Sequence, residues 1–417
     1  MEKTSASKKY LILVICGIAG SAIYRLPFLR ETYYEAMKQA IGATNGQLGM
    51  LMSAYGIVNF ILYLPGGWAA DKFSARNLMA FSLISTGVTG FYFATFPPFP
   101  VVLALHGLWA VTTVFTFWAA CIRVVKELGD SKEQGKLFGF WYLGKGMTAM
   151  ILGFITVPLF AHFGEGVSGL RATIIFYSVV SILTGVLAWI VIPSKKPVEE
   201  NSSSEGGFSV KDMFTVFKMP AVWIAGLASF CMWSIYIGFG YITPYFTDIF
   251  NMGESQVALA SILRAYVLFA LGGLVGGKLA DKCKTKSIFM VYSFIGMIIF
   301  TVIYLFIPGK NSMIIPALVN MVALGAFVYC ANAVFFSLID ETGVPAKVTG
   351  TAAGLISLCA YFPDIYLYIV LGNVIDNNPG ATGYKYIFLF MIVCAVIGLI
   401  ASVILHKMST KRKANIA

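Results

Sequence analysis

Charge is what this chain lacks. Asp, Glu, Lys and Arg make up 12% of its 417 residues, while 58% are hydrophobic and the mean hydropathy is +0.80. A soluble domain of this length could not cover its surface with so little charge, so the composition excludes a water-soluble fold and points to lipid as the solvent. The seven cysteines, at 16, 121, 231, 283, 330, 359 and 394, form no Cys-x-x-Cys pair and sit near no His cluster. That excludes a disulfide framework or a zinc site and leaves them as small apolar packing residues. No nucleophile, metal-ligand set or paired-carboxylate arrangement emerges, so neither an enzyme nor a cofactor or metal is expected. One near-match to a phosphate-binding loop, Gly272 to Lys278, fails: Leu279 stands where Ser or Thr is needed, and no strand precedes it.

What the chain has is long apolar runs. About 20 apolar residues span the hydrocarbon as a helix, and the sequence holds twelve candidates. They lie near 10–35, 45–70, 77–97, 99–127, 136–162, 171–193, 218–248, 253–280, 287–307, 313–339, 348–374 and 384–406. Lys8 and Lys9 before the first run mimic a signal peptide, but equally apolar segments follow, so the run reads as a first span. The net charge of +11 would suggest nucleic acid in a soluble protein. Here Lys and Arg crowd the loops of one side, 21 against 4 on the other. The positive-inside rule then places both termini in the cytoplasm. The expected organisation is a six-helix bundle over 1–193, a polar cytoplasmic linker over 194–217, a second bundle over 218–406 and a basic tail over 407–417.

A repeat supports two halves. GGWAADKFSAR (Gly66 to Arg76) ends span two, and GGKLADKCKTK (Gly276 to Lys286) ends span eight, 210 residues later. A weaker echo joins GLRATIIFY at Gly169 to GYKYIFLF at Gly383. The paired glycines suit close helix approach. Asp71, Lys72 and Arg76, matched by Asp281, Lys282 and Lys286, are candidate gating residues that latch the inner side. With these motifs the chain resembles the major facilitator superfamily, whose hallmark loop is Gly67, Asp71, Lys72 and Arg76, repeated as Gly277, Asp281, Lys282 and Lys286. Ser74 replaces the usual loop glycine. IYRLPFLRETYYEAM, TNGQLG, QGKLFGFWYLGKG and NPGATGYKYIF are, more narrowly, similar to YihN-type inner-membrane permeases. The resemblance implies an all-α membrane fold of twelve helices in two pseudo-repeats and a monomeric permease of the bacterial inner membrane.

Buried charge marks the candidate site. Arg25 lies about 22 Å along span one from Tyr10, Lys145 about 14 Å into span five, Arg264 about 17 Å into span eight and Asp364 about 24 Å up span eleven. In the family fold these spans line the central cavity, so three cations and one carboxylate are expected to converge where substrate binds. A charge at membrane depth costs about 2.5–3.5 kcal/mol on insertion scales, which an anionic ligand would offset. Tyr24, Tyr142, Tyr236, Tyr241 and Asn332 supply polar handles on apolar walls, and Asp364 is the candidate proton carrier. Each has a plainer reading: Arg25 snorkels or caps a helix, Arg264 pairs with Asp364, and Asp364 serves a kink at Pro363. Arg123 reads as an anchor at the end of span four, and His106 as a packing residue. Arg30, Glu31 and Glu35 fall near the outer mouth, with Glu31 a gate candidate, while Tyr34 on span one joins the aromatic hydroxyls of the site. The expected function is transport of a small organic anion (a carboxylate, sulfonate or sugar acid) by alternating access, as proton-coupled uptake or anion exchange. The competing readings are a proton-driven efflux pump for lipophilic compounds, which three buried bases disfavour, and a sensor or regulatory protein on a permease scaffold, which would need an added soluble domain. Partners are the anion, protons and the bilayer, with no nucleic acid.

Overall fold

The computed structural model describes residues 6–130, 133–194, 216–345 and 348–416; the linker expected at 194–217 falls almost wholly outside them. Among the described residues every regular element is helical. Nine helical stretches are long and apolar enough to cross a bilayer, or ten when a bent one, Asn45–Lys72, is included. They are apolar all round rather than on one stripe, the pattern of a membrane-embedded helix. Leu183, Ile190, Phe306 and Ile315 stand exposed where a soluble protein would place polar residues.

The chain forms two compact units, Met1–Glu200 with Met252–Ile262, and Asn201–Asn251 with Leu263–Ala417. The first unit contains α1 (Ala6–Ala22), α2 (Tyr34–Ile41), α3 (Asn45–Lys72), α4 (Ala75–Phe93), α5 (Phe99–Ala110), α6 (Ala119–Lys126), α7 (Gln134–His162) and α8 (Gly166–Val191). The second contains α9 (Pro220–Gly240) and α10 (Ile242–Phe250). The next helix, α11 (Glu254–Ile262), packs with the first unit. The second unit continues with α12 (Phe269–Asp281), α13 (Lys286–Phe306), α14 (Ile314–Val334), α15 (Thr349–Tyr361), α16 (Leu367–Asn377) and α17 (Ala381–Ile416).

Each unit has its own core. In the first, Ile12, Cys16, Ala19, Phe117, Cys121 and Trp141 close the contact of α1 with α6 and α7. In the second, Tyr245 packs its ring against Tyr304, Tyr384 and Phe388. All seven cysteines are free thiols, and Cys16, Cys121, Cys231 and Cys394 are buried.

Span one is not the continuous helix expected over 10–35. α1 stops at Ala22, residues 23–28 form turns, and a 3-10 turn at Leu29–Glu31 leads into α2. Pro27 explains the break: it has no N–H for the carbonyl four residues back, and it pushes Leu26 out of the α region. A second irregular turn joins α7 to α8, where Gly164, Glu165 and Gly166 all have positive φ. Glu165, at φ 56°, is costly for a side-chain-bearing residue. α11 holds this turn: the Ser255 hydroxyl donates to Glu165 at 2.6 Å, and the Gly166 N–H donates to Glu254 at 3.0 Å.

The repeated glycine pairs have divided roles. A Cβ on Gly66 would lie 2.9 Å from the Val114 carbonyl, and one on Gly276 would lie 2.7 Å from Cys330 Cα. Both are backbone contacts that cannot swing aside. Gly67 and Gly277 face open space. Gly276→Ala should therefore cost about 1–3 kcal/mol of stability through overpacking, whereas Gly277→Ala should gain up to about 1 kcal/mol by helix propensity alone. Thermal melts of the two purified variants in one detergent check the difference; equal melting temperatures would contradict it.

Candidate functional site

In the first unit the site grows from a helix crossing. α1 passes α7 so closely that a Cβ on Gly17 would lie 3.1 Å from Gly144 Cα, and Trp141 Nε1 donates to the Cys16 carbonyl at 3.0 Å. One turn on, the missing side chain of Gly20 leaves room for the Lys145 stem, whose Cδ would be 3.6 Å from a Cβ there. The Lys145 ammonium then lies over two rings, 4.8 Å from Tyr24 and 5.2 Å from Trp118. Arg25, next to Tyr24 in the chain, is close enough for the two cations to repel. Arg25 is 9% exposed and its Nε donates to the Ser21 carbonyl at 3.1 Å, so it caps the end of α1 at the Pro27 break. Among the described residues no carboxylate pairs with Lys145.

Trp118 reaches this place because span four is π-helical over Val111–Trp118. Threonine hydroxyls accompany the distortion. Thr113 donates to the Trp109 carbonyl at 2.6 Å and Thr116 to that of Thr112 at 3.1 Å. Such back-bonding bends helices, and π-turns recur at functional sites.

The second unit places its groups in two groups of contacts. Arg264 lies in another π-helical turn, Leu263–Leu268; it is buried, with Nη2 donating to Thr243 at 3.3 Å and its guanidinium 5.5 Å from the Phe239 ring centre. Asp364 lies in a 3-10 turn, Phe362–Ile365, that separates α15 from α16 at Pro363. Its Oδ1 accepts from Trp233 Nε1 at 2.9 Å. The partner seen for Asp364 is thus an indole, while Arg264 meets Thr243 and Phe239.

The remaining candidates divide. Tyr236 stacks on Trp233 at 4.8 Å. The Asn332 Nδ2 is buried without an acceptor. Tyr142 is half exposed, with its ring 4.8 Å from Trp141. Tyr241 is fully buried and its hydroxyl donates to the Tyr368 carbonyl at 2.7 Å, which occupies it structurally. At the other end of span one, Arg30 is not a solvated mouth residue. It is 1% exposed, donates to the Leu48 carbonyl and lies 5.2 Å from the Tyr34 ring. Glu31 lies 3.9 Å from Arg30, and Glu35 pairs with Lys38 at 2.7 Å. His106 is fully buried between Phe93 and Trp109, with Nδ1 against the Val102 carbonyl, as a packing residue would be.

The two repeated loops are built differently. In the first, Asp71 is exposed, Lys72 lies over Trp68 and Arg76 over Trp189. Arg123 anchors this end, donating to the Ala70 carbonyl at 2.6 Å and to Glu127 at 2.8 Å. In the second loop Asp281 pairs with Lys286, and Lys282 is exposed. The stronger feature there escapes sequence reading. Glu341 is buried, and its carboxylate accepts from the N–H groups of Lys286 and Ser287 and from the Ser287 hydroxyl, capping the N-terminus of α13. Arg412 of α17 donates to the Glu341 carbonyl.

Long apolar helices, glycine crossings and cations at helix breaks define a polytopic membrane transporter. The Major Facilitator Superfamily model matches residues 11–366, and the chain belongs to that family. It is 31% identical to "Inner membrane protein YihN" of Escherichia coli over 97% of each chain. It is 24% identical to "Probable sulfoacetate transporter SauU" of Cupriavidus necator, over 90% of this chain and 88% of that one. The fold is shared with a bacterial homologue of the human lysosomal transporter Spinster, at a TM-score of 0.73, 13% identity and 98% coverage of each chain. The protein is thus a multi-pass transporter of the bacterial inner membrane.

Glu341→Ala should destabilise the fold by about 2 kcal/mol, since it strips a charged acceptor from buried donors. Lys286→Ala, which removes a surface ion pair, should cost under about 1 kcal/mol. Thermal melts of the two variants test the ranking, and a larger loss in Lys286→Ala would reverse it.

Proposed function

We propose that this transporter carries a small organic anion (a carboxylate, sulfonate or sugar acid), and that Lys145 and Arg25 form its anion-binding pair. The observation that carries the reading is the Lys145 ammonium held between Tyr24 and Trp118 with a second cation nearby. Two aromatic faces return about 0.5–2 kcal/mol each, whereas a cation at membrane depth costs about 2.5–3.5 kcal/mol and neighbouring like charge adds to it. An anionic group supplies the missing compensation, and Arg grips such groups in a planar fork. The sulfoacetate transporter among the relatives fits this class of substrate. Arg264, buried beside Thr243, is a further candidate for anion contact.

In this reading the chain crosses the membrane twelve times with both termini cytoplasmic, as two six-helix bundles joined by the linker, and works by alternating access as a monomer. Asp364 carries the coupling proton: it is the ionisable acid at a helix break in the second unit, and it is held by an indole rather than by a permanent cation. The loops carrying Asp71, Lys72 and Arg76, and Asp281, Lys282 and Lys286, gate the cytoplasmic side.

Binding titrations against a panel of organic acids test the pair. Lys145→Ala should weaken the best anion by about 2–5 kcal/mol, and Arg25→Lys should weaken it measurably because an ammonium lacks the guanidinium fork. Wild-type affinity in both folded variants would reject the anion-binding pair. In proteoliposomes, Asp364→Asn should lose accumulation against a gradient while keeping exchange; normal proton-driven accumulation would remove Asp364 from the coupling role. Asp71→Asn should slow transport at normal expression, and an unchanged rate would count against the latch.

A further inference from the structure

Trp233 stands in the middle of α9, where its neighbours Cys231, Met232, Ser234 and Ile235 are buried. Rings fix its indole from several sides. Tyr236, one turn on, stacks on it at 4.8 Å with an interplanar angle of 21°. Tyr361, the last residue of α15, meets it edge-on at 4.7 Å, and Phe335, the residue after α14, lies 6.4 Å away. Held in this way, its Nε1 donates to Asp364 Oδ1 at 2.9 Å. The acceptor is fixed as well, because the Tyr366 N–H closes the 3-10 turn of Asp364 on the Pro363 carbonyl at 3.2 Å. All of these residues belong to the second unit.

Among the described residues this indole is the polar partner of Asp364. The helices packed against its turn are α9, α15 and α16. Their titratable side chains are Cys231 and Tyr236 on α9, Cys359 and Tyr361 on α15, and Tyr368 and Asp376 on α16, with Tyr366 between the last two helices. Cysteine and tyrosine are ordinarily uncharged near neutral pH, and Asp376 lies about 14 Å along α16 from its first residue. An indole N–H only donates. Its bond to an ionised carboxylate is roughly twice as strong as its bond to a neutral acid, so the contact favours the ionised form. The surrounding rings keep the N–H aimed and make that preference a fixed property of the turn. We propose that Trp233 is a positioning residue for proton coupling, whose indole sets how readily Asp364 takes up and releases its proton. The assignment rests on the reading of Asp364 as the coupling acid.

An infrared pH titration of the full-length protein in detergent tests this with no substrate present. The titrating carboxyl band that Asp364→Asn removes reports the protonation of Asp364. Replacing Trp233 with the isostere benzothienylalanine keeps the bicyclic ring and puts sulfur in place of the N–H, and Trp233→Phe removes the donor with a natural residue. Each variant is first shown to be folded by its thermal melt. In both, the midpoint of the band should move to higher pH by about 1–2 units, the size expected for losing one hydrogen bond to a charged group. A merely structural role for the ring would leave the midpoint of the isostere where it is in the wild-type protein. That result overturns the positioning role and leaves the coupling reading standing. A shifted midpoint together with normal proton-driven accumulation by Asp364→Asn in proteoliposomes overturns the coupling reading, and the proposal with it. So does a titration in which Asp364→Asn removes no band.

Discussion

A cation at membrane depth has to be met by the groups around it, and the first unit is arranged about that demand at Lys145. Gly17 and Gly144 bring α1 and α7 into backbone contact, and Gly20 opens the slot for the lysine stem. The π-helical stretch of span four ends at Trp118, one of the two rings under the ammonium. The other ring, Tyr24, stands where α1 has already broken ahead of Pro27. Three unrelated backbone features therefore converge on one charge. None would be expected from packing alone, since a regular helix of Leu and Ala buries apolar surface as well and keeps all its hydrogen bonds.

The second constraint is the backbone itself. Within hydrocarbon an unsatisfied peptide group costs several kcal/mol, so irregular turns persist only where side chains or neighbouring helices satisfy them. Arg25 donates to the Ser21 carbonyl at the first break. In the second unit, α15 and α16 part at the 3-10 turn that bears Asp364, and Arg264 occupies a π-turn. Broken helices at the substrate level are a recurring device of secondary transporters, because half-helix ends expose polar groups that a ligand can use.

Much of this was legible in the sequence, and the limits are instructive. Pro363 announces its break, because a missing N–H is a local property of the chain; Pro27 carries the same signal, yet the apolar run around it reads as one span over 10–35. The glycine pairs were legible as a repeat, but the half that packs was not. Gly66 and Gly276 meet backbone, while the hallmark positions Gly67 and Gly277 do not, and only the rotation of the helix decides which faces inward. Trp118, Trp233 and Glu341 went unread for a related reason. A tryptophan in an apolar run looks like core or interface, and its value as a cation or carboxylate partner depends on a residue more than 25 positions away. Tyr241 shows the reverse case: its place on span seven is legible in the sequence, but the bond its hydroxyl donates to the Tyr368 carbonyl is not.

The repeat also shows where the two halves have parted. With the loops 210 residues apart, Arg25 corresponds to the region of Ser234 and Ile235, and Lys145 to the stretch beginning at Leu355, neither of which carries a charge. Conversely, Asp364 corresponds to the region of Phe154, and Trp233 to that of Ile23. The duplicated scaffold kept its glycine contacts, which serve the packing of both units, and diverged at the polar positions, which do not. The first unit keeps Arg25 and Lys145 beside its helix break and crossing, and the second keeps Arg264 in a π-turn and Asp364 in a 3-10 turn.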